Sequence, residues 1–422
     1  MFKHRRLQYP IGQGYFHSAS LEINDSRIEY CYDCGSENSE PLHAEVKRYA
    51  EEHDAIDVLF LSHLDSDHVS GLDELLLLCS VDTVVLPYLS KYERLYVLSD
   101  TIANGPLSLE HVRLLGHPAR WFASRGVKHV IFIFGEYDEG PPSDVPNDGP
   151  PPSIGKRRDT SPTISEDDKL SINFAELDEF GYRIEQIREC AIYRVPHNHI
   201  LRLSDSSGQL INWSFTTFVH PENAREAEFR AAVEAAFLIP EGGADGNVSS
   251  LFYNILKDKE LRNRLAECYL TIRSDRNLTS MSLYSGPLFP LSLDRFVYTM
   301  KSSGRTGTQN KRYGNCGWLG TGDANLKGPR RRSRFLKHFD AILPEVLTLS
   351  IPHHGSKNNF NREIVPINCQ YCIVSARDKN PHHPDPDVVV ALQRMNRNLA
   401  QTNENANTII IEEIQLESEY QH

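Results

Sequence analysis

Long hydrophobic segments are absent from this sequence of 422 residues. No run approaches the roughly eighteen apolar residues that a membrane helix requires, and the longest candidates are strand-sized, such as Val58–Leu61. The basic residues in Met1–Arg6 are not followed by the apolar stretch of a secretory signal. We therefore expect a cytoplasmic protein with no membrane span.

Positive charge is also scarce, with 45 lysine and arginine residues against 57 aspartate and glutamate residues and a net charge of −12. A basic footprint over the whole molecule is excluded, so any contact with nucleic acid must come from a local patch. Cysteine is sparse as well, and its eight residues are too scattered for a disulfide scaffold. The pairs Cys31/Cys34 and Cys369/Cys372 fall in strand-like segments, which favours buried thiols over a zinc ribbon.

The sequence does contain an alternation of strand and helix patterns. Short apolar runs that end in turn or charged residues predict buried strands, at Ala19–Ile23, Ile28–Tyr32, Val58–Leu61, Thr83–Pro87, Val130–Phe134, Ser280–Tyr284, Gly317–Gly320, Val346–Ile351, Tyr371–Ser375 and Thr408–Ile414. Helical patterns separate them at Pro41–Glu52, Gly71–Cys79, His111–Ser124, Glu222–Leu238 and Leu251–Cys268. This alternation predicts a layered α/β fold.

Two stretches of low hydrophobicity interrupt the alternation. Residues 138–168 contain seven of the 24 prolines and almost no large apolar side chain. Such a composition buries too little surface to offset the entropy of ordering, so we predict a disordered surface insert. Ser302–Asn315 has a similar lack of apolar residues and is predicted to be a long loop.

The sharpest chemical feature lies within Ile56–Gly71, where an apolar strand is followed by His63, Asp65, Asp67 and His68. Alternate positions on an extended backbone point to one side, so these side chains are expected to converge. Two imidazoles and two carboxylates suit a hard or borderline divalent metal. A solvated loop is the alternative interpretation, but ligands of α/β proteins usually bind where buried strands end.

The His-x-Asp-x-Asp-His pattern resembles the first motif of the metallo-β-lactamase fold, most members of which have histidine at the position of Asp65. This version is similar to the soluble hydrolase domain of the competence protein ComEC. Six further segments resemble that domain's motifs in the same order: Ile11–Gly14, Asp33–Gly35, Asn277–Ser280, Thr321–Asp323, Ile351–Ser356 and Asn380–Pro384. The membrane channel of ComEC has no counterpart here, so its transport role is not implied.

The resemblance implies an α/β fold of the αββα sandwich type with an insertion. Its N-terminal half would occupy residues 1–137 and its C-terminal half residues 271–422. The disordered proline-rich insert at 138–168 and a helical elaboration at 169–270 would separate the two halves.

The resemblance also implies two divalent metal ions, either zinc or manganese. His63 and Asp65 would bind one ion, Asp67 and His68 would bind the other, and Asp323 would bridge them. One carboxylate can perform this role because it offers an oxygen to each ion.

One histidine of the pair His353 and His354 would complete the second site. Neighbours on a strand point in opposite directions, so we expect only one ligand from this pair and prefer His353. The superfamily's extra histidine, between the first motif and the bridging aspartate, has no clear match. His197, His199 and His220 are candidates, although each is more readily interpreted as structural. The first site would then lack a ligand and bind its metal weakly.

Two such metals generate hydroxide near neutral pH and hold a phosphoryl or acyl group for attack. Asp67 is placed to orient the attacking water. His383, together with Asn380 and Ser356, resembles the family's phosphate-side group and would protonate the leaving oxygen. A structural histidine flanked by proline is the alternative for His383.

A basic segment, Lys327–Lys337, contains six lysine or arginine residues, and Pro329 can begin a helix there. A patch beside two metals suits a polyanionic substrate, and the predicted substrate-binding residues in it are Arg330, Arg331 and Arg332. A solvated helix face is the alternative.

The sequence therefore favours a metal-dependent phosphodiesterase or nuclease that cleaves DNA or RNA. A phosphoesterase for small molecules is a second hypothesis. A third is a metallo-hydrolase effector regulated by a protein partner, with residues 138–270 as the docking surface. The three differ in whether the metal-loaded protein cleaves polynucleotides, only small phosphodiesters, or neither without its partner.

Overall fold

A computed structural model describes residues 2–24, 26–105, 107–135, 169–219, 226–239, 245–272, 280–289, 296–302 and 311–416. Its strands are β1 (Phe2–Gln8), β2 (Gly14–Ile23), β3 (Ser26–Ser36), β4 (Ala55–Phe60), β5 (Ser80–Pro87), β6 (His129–Phe134), β7 (Ser171–Ile172), β8 (Arg183–Ile187), β9 (Cys190–Pro196), β10 (Leu201–Ser204), β11 (Leu210–Val219), β12 (Met281–Gly286), β13 (Phe296–Lys301), β14 (Lys311–Tyr313), β15 (Gly317–Gly320), β16 (Val346–Ser350), β17 (Tyr371–Ser375), β18 (Asn398–Thr402) and β19 (Ile410–Leu416).

The α-helices of the described residues are α1 (Ser39–Glu52), α2 (Ser66–Val69), α3 (Leu72–Leu78), α4 (Lys91–Asn104), α5 (Leu109–Gly116), α6 (Pro118–Ser124), α7 (Phe174–Glu179), α8 (Glu226–Phe237), α9 (Asp245–Lys257), α10 (Lys259–Ile272), α11 (Pro329–Phe339) and α12 (Pro386–Arg394). None of them is long and apolar enough to cross a membrane.

The described strands form two mixed sheets. The first has the order β14-β13-β19-β1-β2-β3-β4-β5-β6-β9-β8, with a parallel block from β3 to β9. The second has the order β18-β17-β16-β15-β12-β11-β10-β7, with a parallel block from β15 to β18. The carboxyl ends of β4, β15 and β16 carry the loops that hold the candidate site.

Buried side chains arrange the two sheets and the helices as four layers. The core between the sheets includes Tyr30, Phe60, Trp213 and Trp318. A second core packs most of the helices onto the outer face of the first sheet, and a third packs α11 and α12 onto the outer face of the second. The predicted αββα sandwich is confirmed in the described residues.

Residues 169–219 correct the expectation of a helical elaboration. Apart from the short helix α7, this segment forms β7 to β11, which extend both sheets at their edges. Helices follow only from Glu226. The predicted insert at 138–168 lies outside the described residues. The predicted loop Ser302–Asn315 contains the short strand β14, while residues 303–310 also lie outside the described part.

The helices also differ in detail from the expectation. The predicted helix His111–Ser124 is two helices, because Pro118 starts a new one after the cap residue His117. Helix α4 was not predicted, although Ser90 and Glu93 form a capping box at its start. All eight cysteines are free and buried, which confirms the prediction of buried thiols for the pairs Cys31/Cys34 and Cys369/Cys372.

Candidate metal centre

The first motif lies in the loop after β4 and continues into a helical turn. Ser66–Val69 is the helix α2, so Asp67 and His68 are presented by that turn and not by an extended chain. Asp323 follows β15, and His353 and His354 follow β16. Side chains from opposite sheets therefore meet at one end of the sandwich.

Four residues form a compact group of potential metal ligands: Asp67, His68, Asp323 and His354. One ligand atom from each lies within 4.8 Å of all the others. His68 Nε2 lies 3.3 Å from Asp323 Oδ1 and 3.7 Å from Asp67 Oδ2. His354 Nε2 lies 3.4 Å from Asp67 Oδ2 and 4.0 Å from Asp323 Oδ1.

The other predicted ligands surround the second oxygen of Asp323. His63 Nε2 lies 3.9 Å from Asp323 Oδ2 and 3.8 Å from Asp65 Oδ2. His353 Nε2 lies 3.8 Å from the same Asp323 oxygen. The structure thus brings together all six predicted metal ligands and adds His354 to them.

The backbone at His353 and His354 differs from the expected strand. Residues 353–355 form a 3-10 turn, and His353, His354 and Gly355 all have positive φ values, of 48°, 54° and 83°. The premise that the two histidines point in opposite directions along a strand is therefore wrong. Both imidazoles approach the aspartate cluster.

Each buried imidazole is oriented by a hydrogen bond from its Nδ1. His68 donates to Asp33 Oδ2 at 2.8 Å, His354 donates to the Ser375 carbonyl at 2.9 Å, and His63 contacts Ser62 Oγ at 2.8 Å. Ser62 in turn donates its hydroxyl to Asp33 at 2.6 Å. With the proton on Nδ1, each Nε2 has a lone pair that faces the carboxylates, as in metal-binding histidines.

Asp33, which the sequence identified only as part of a motif, supports the candidate site. It is fully buried, has a φ of 57°, and accepts hydrogen bonds from the Ser62 backbone N–H and hydroxyl and from His68. It does not join the ligand group itself. The aspartate holds the imidazoles in the orientation that a metal requires.

The residues present fit a divalent cation. The Nε2 atoms of His63, His68 and His354 are buried and have no hydrogen-bond partner, which is costly for a polar atom unless an ion takes that place. Burial alone would lower the pKa of His68, but Asp323, Asp67 and Asp33 outweigh it and raise that pKa well above its ordinary value. The local field therefore favours positive charge, whether from protons or from metal ions.

The carboxylates show the same need for positive charge. Burial and the nearby Asp67, Asp100 and Asp323 raise the pKa of Asp65 well above its ordinary value. Burial would also raise the pKa of Asp323, but the neighbouring imidazoles of His353 and His68 hold it well below its usual range. A bound cation would reduce the repulsion between these neighbouring carboxylates.

Asp323, the predicted bridging residue, is held by its backbone. Asp323 N–H donates to Ser280 Oγ at 2.9 Å, and Asn359 Nδ2 donates to the Asp323 carbonyl at 3.1 Å. Gly322 has a φ of +51°, and a Cβ there would lie 2.3 Å from Ser280 Oγ. Only glycine fits this close approach, so the Thr-Gly-Asp turn fixes where the carboxylate points.

The predicted phosphate-side residues form a separate network beside the histidine pair. The His383 ring centroid lies 5.5 Å from that of His353. Asn380 Nδ2 donates to Gln13 Oε1 at 3.0 Å, and Gln13 Nε2 lies 3.4 Å from His383 Nδ1. Ser356 Oγ accepts a hydrogen bond from the Asn358 N–H at 3.2 Å. Burial and the nearby histidines lower the pKa of His383 to about 4.

The basic segment forms α11, which begins at Pro329 as predicted. Arg330 is exposed, whereas Arg331 and Arg332 are partly buried. Arg332 Nε contacts Glu363 Oε2 at 2.8 Å, so part of this arginine's charge is already paired. Phe335 and Phe339 anchor the opposite face of the helix in the core.

Two candidates for the superfamily's extra histidine, His197 and His199, pack against residues outside the group of potential ligands. His197 Nδ1 lies 2.8 Å from the Val219 carbonyl, and its ring packs against Phe218 and His338. The His199 ring packs against Phe180 and Tyr182. His220 lies outside the described residues.

Comparison with known proteins gives the fold its name. The model of the metallo-beta-lactamase superfamily matches residues 32–152, which include the first motif. Combined with the four layers, this match decides the architecture. The chain has the metallo-β-lactamase fold. In this fold, Asp323 and the His353–His354 pair belong to the C-terminal half, beyond the matched segment.

The solved structures that are similar to the chain include a diphosphatase and a metallo-β-lactamase. A new diphosphatase from the PhnP family is 9% identical, with a TM-score of 0.29, over 96% of this chain and 88% of that chain. The subclass B3 metallo-β-lactamase MEM-A1, isolated from a soil metagenome library, is 10% identical, with a TM-score of 0.26, over 85% of this chain and 81% of that chain. The sequence matches none of the curated proteins.

Proposed function

We propose that this metallo-β-lactamase-fold protein is a metal-dependent hydrolase that cleaves phosphodiesters with two divalent ions, with DNA or RNA as the leading substrate class. The observation that carries the proposal is the position of Asp323. One of its oxygens faces His68 and His354, and the other faces His63 and His353. A single carboxylate between two sets of imidazoles suits a dinuclear hydrolase.

The preference for phosphodiesters rests on the motifs that resemble the hydrolase domain of ComEC. When bound, two divalent ions supply Lewis-acid chemistry to a phosphoryl group and a strong nucleophile near neutral pH. Burial alone would raise the pKa of Asp67, but the nearby imidazoles of His68 and His354 outweigh it and lower that pKa, so the carboxyl is ionised. An ionised Asp67, partly open to solvent, can accept a hydrogen bond from the attacking water and orient it.

His383 requires a different role from the one expected. With a pKa of about 4 it is neutral near pH 7, so little imidazolium is present to protonate a leaving oxygen. If the Gln13 amide donates to Nδ1, as the contact with Asn380 favours, the proton of the ring lies on Nε2. His383 then serves as a hydrogen-bond donor to the phosphoryl group.

The test is hydrolysis by the purified protein with Mn²⁺, Mg²⁺ or Zn²⁺. Substrates are single- and double-stranded DNA, RNA and a nitrophenyl phosphodiester. Asp323→Ala and Asp67→Ala should each lower the rate by at least about 10²–10³-fold, because each removes a carboxylate that organises charge at the reacting group. Asp340→Ala, an exposed aspartate at the end of α11, is the matched control and should retain the rate.

Full activity in either site variant would contradict the proposal. Turnover of the nitrophenyl ester without polynucleotide cleavage would identify a small-molecule phosphoesterase instead. A metal-loaded protein that is inactive on every substrate would favour the partner-regulated effector.

A further inference from the structure

We infer that the two adjacent histidines are divided between the two ions, with His353 completing the first site and His354 the second. His353 then takes the place of the histidine that the sequence lacks between the first motif and Asp323. This assignment rests on the proposed dinuclear function and specifies the ligands of each ion.

The division follows from the two oxygens of Asp323. Oδ2 lies 3.9 Å from His63 Nε2 and 3.8 Å from His353 Nε2. Oδ1 lies 3.3 Å from His68 Nε2 and 4.0 Å from His354 Nε2. Ligand atoms bound to one ion at about 2.0–2.2 Å can lie at most about 4.4 Å apart, and each Asp323 oxygen lies within that limit of its two imidazoles.

The backbone supports the division independently. Left-handed conformations at residues other than glycine cost about 1–3 kcal/mol each and persist where surrounding contacts impose them, often at functional sites. His353 and His354 are two consecutive residues of this kind. The His353 N–H donates to the Gly322 carbonyl at 3.1 Å, which ties the turn to the loop of the bridging aspartate. This turn lets neighbouring side chains reach the same space, which a strand would not allow.

With this assignment each ion has four protein ligands. The first has His63, Asp65, Asp323 Oδ2 and His353, and the second has Asp67, His68, Asp323 Oδ1 and His354. Only the second group forms the compact cluster among the described residues. Its His354 side chain is 2% exposed, against 26% for His353. The second site should therefore bind its metal more tightly.

The experiment measures metal content and metal affinity instead of activity. Wild-type protein, His353→Ala and His354→Ala are titrated with Co²⁺ and followed by absorption of the ligand field, and bound metal is counted after dialysis. Wild type should bind two ions with different affinities. His353→Ala should keep the tight ion and bind the loose one at least about 10–100-fold more weakly, whereas His354→Ala should lose the tight ion.

Two controls separate ligand loss from misfolding. His382→Ala removes an exposed neighbouring histidine and should leave both affinities unchanged. In His353→Ala, free imidazole should restore the second equivalent of metal, which a misfolded variant would not allow.

Retention of both wild-type affinities in His353→Ala would overturn the inference, and so would loss of the tight ion alone. Binding of a single ion by wild type would overturn it too, although a one-metal hydrolase would remain possible. Two ions with the predicted variant pattern, but no phosphodiester cleavage, would uphold the ligand assignment and refute the proposed function.

Discussion

Asp33 shows how a residue that binds no ligand can determine what its neighbours bind. Both of its oxygens are committed: Oδ1 accepts from the Ser62 N–H at 2.6 Å, and Oδ2 accepts from the Ser62 hydroxyl and from His68. The last contact keeps a proton on His68 Nδ1 and leaves Nε2 available to a metal. Asp33 is therefore a positioning residue for the second site.

Asp33→Asn should weaken metal binding at the second site by about 10–100-fold. The amide cannot accept at both ends, so its NH₂ must face either the Ser62 N–H or His68 Nδ1. Either arrangement disturbs the tautomer or the loop that His68 requires. Calorimetric titration with Zn²⁺ measures the affinity, and circular dichroism checks the fold. An unchanged affinity would show that His68 is oriented without Asp33.

The sequence predicted which residues converge at the candidate site better than it predicted how they are arranged. His63, Asp65, Asp67 and His68 are close together in the chain, so their convergence follows from local geometry. The approach of His354 was missed because two consecutive left-handed residues override the alternation of a strand. A Gly directly after a His-His pair was the available signal of such a turn.

At the scale of elements, α11 presents basic residues on one face while Phe335 and Phe339 hold the other face in the core. Proline at its first position made this helix predictable. The strands of residues 169–219 were less predictable, because the pairings that join them to the two sheets, β9 with β6 and β11 with β12, connect segments far apart in the chain.

Changing Arg330, Arg331 and Arg332 to glutamine should weaken binding of long polynucleotides by at least about tenfold, with little change in turnover of a small phosphodiester. The log–log salt dependence has a slope of about −0.9 per phosphate contact on duplex DNA and about −0.7 on single strands. In the triple variant this slope should be less steep by the amount expected for the loss of roughly one to three phosphate contacts.

Lys257→Gln with Lys259→Gln, a pair of exposed lysines at the α9–α10 junction, is the control and should leave binding unchanged. Fluorescence anisotropy over a series of salt concentrations provides the measurement. Equal loss of polynucleotide binding and of phosphodiester turnover would mean that α11 supports the site or the fold. Loss of neither would mean that the basic face of α11 is only a solvated surface.

At the scale of the whole molecule, a buried ion pair within the first sheet makes a hydrogen bond to the second sheet. Arg6 Nη2 on β1 donates to Glu412 Oε1 on β19 at 3.0 Å and lies 3.3 Å from Thr348 Oγ1 on β16. Tyr298 also donates to the glutamate at 2.6 Å. The Arg6 and Glu412 side chains are 0% and 1% exposed, so neither charge has water to replace its partner.

Glu412→Gln should lower the free energy of unfolding by about 3–5 kcal/mol, because it leaves the Arg6 charge buried without a counter-charge. The adjacent pair Arg5–Glu413 is a matched control, since it is more than one third exposed on the same two strands. Glu413→Gln should cost at most about 1 kcal/mol. Urea denaturation of the metal-free protein measures both, and equal costs would contradict this account of the ion pair.

Long-range contacts of this kind mark the limit of what the sequence could predict. Arg6 and Glu412 are 406 positions apart, and Gln13 and Asn380 are 367 positions apart. No local pattern predicts such pairs. The layered fold was predictable because strand and helix patterns are local. The sequence indicated that its two halves belong to one fold only through the order of the family motifs.

The central claim, that one carboxylate lies between two metal ions, has a direct spectroscopic test. Protein loaded with two equivalents of Mn²⁺ is examined by electron paramagnetic resonance. If Asp323 bridges the ions, the spectrum should show an exchange-coupled pair, and Asp323→Ala should abolish the coupling. A wild-type spectrum of magnetically isolated Mn²⁺ ions, or of a single bound ion, would contradict the claim.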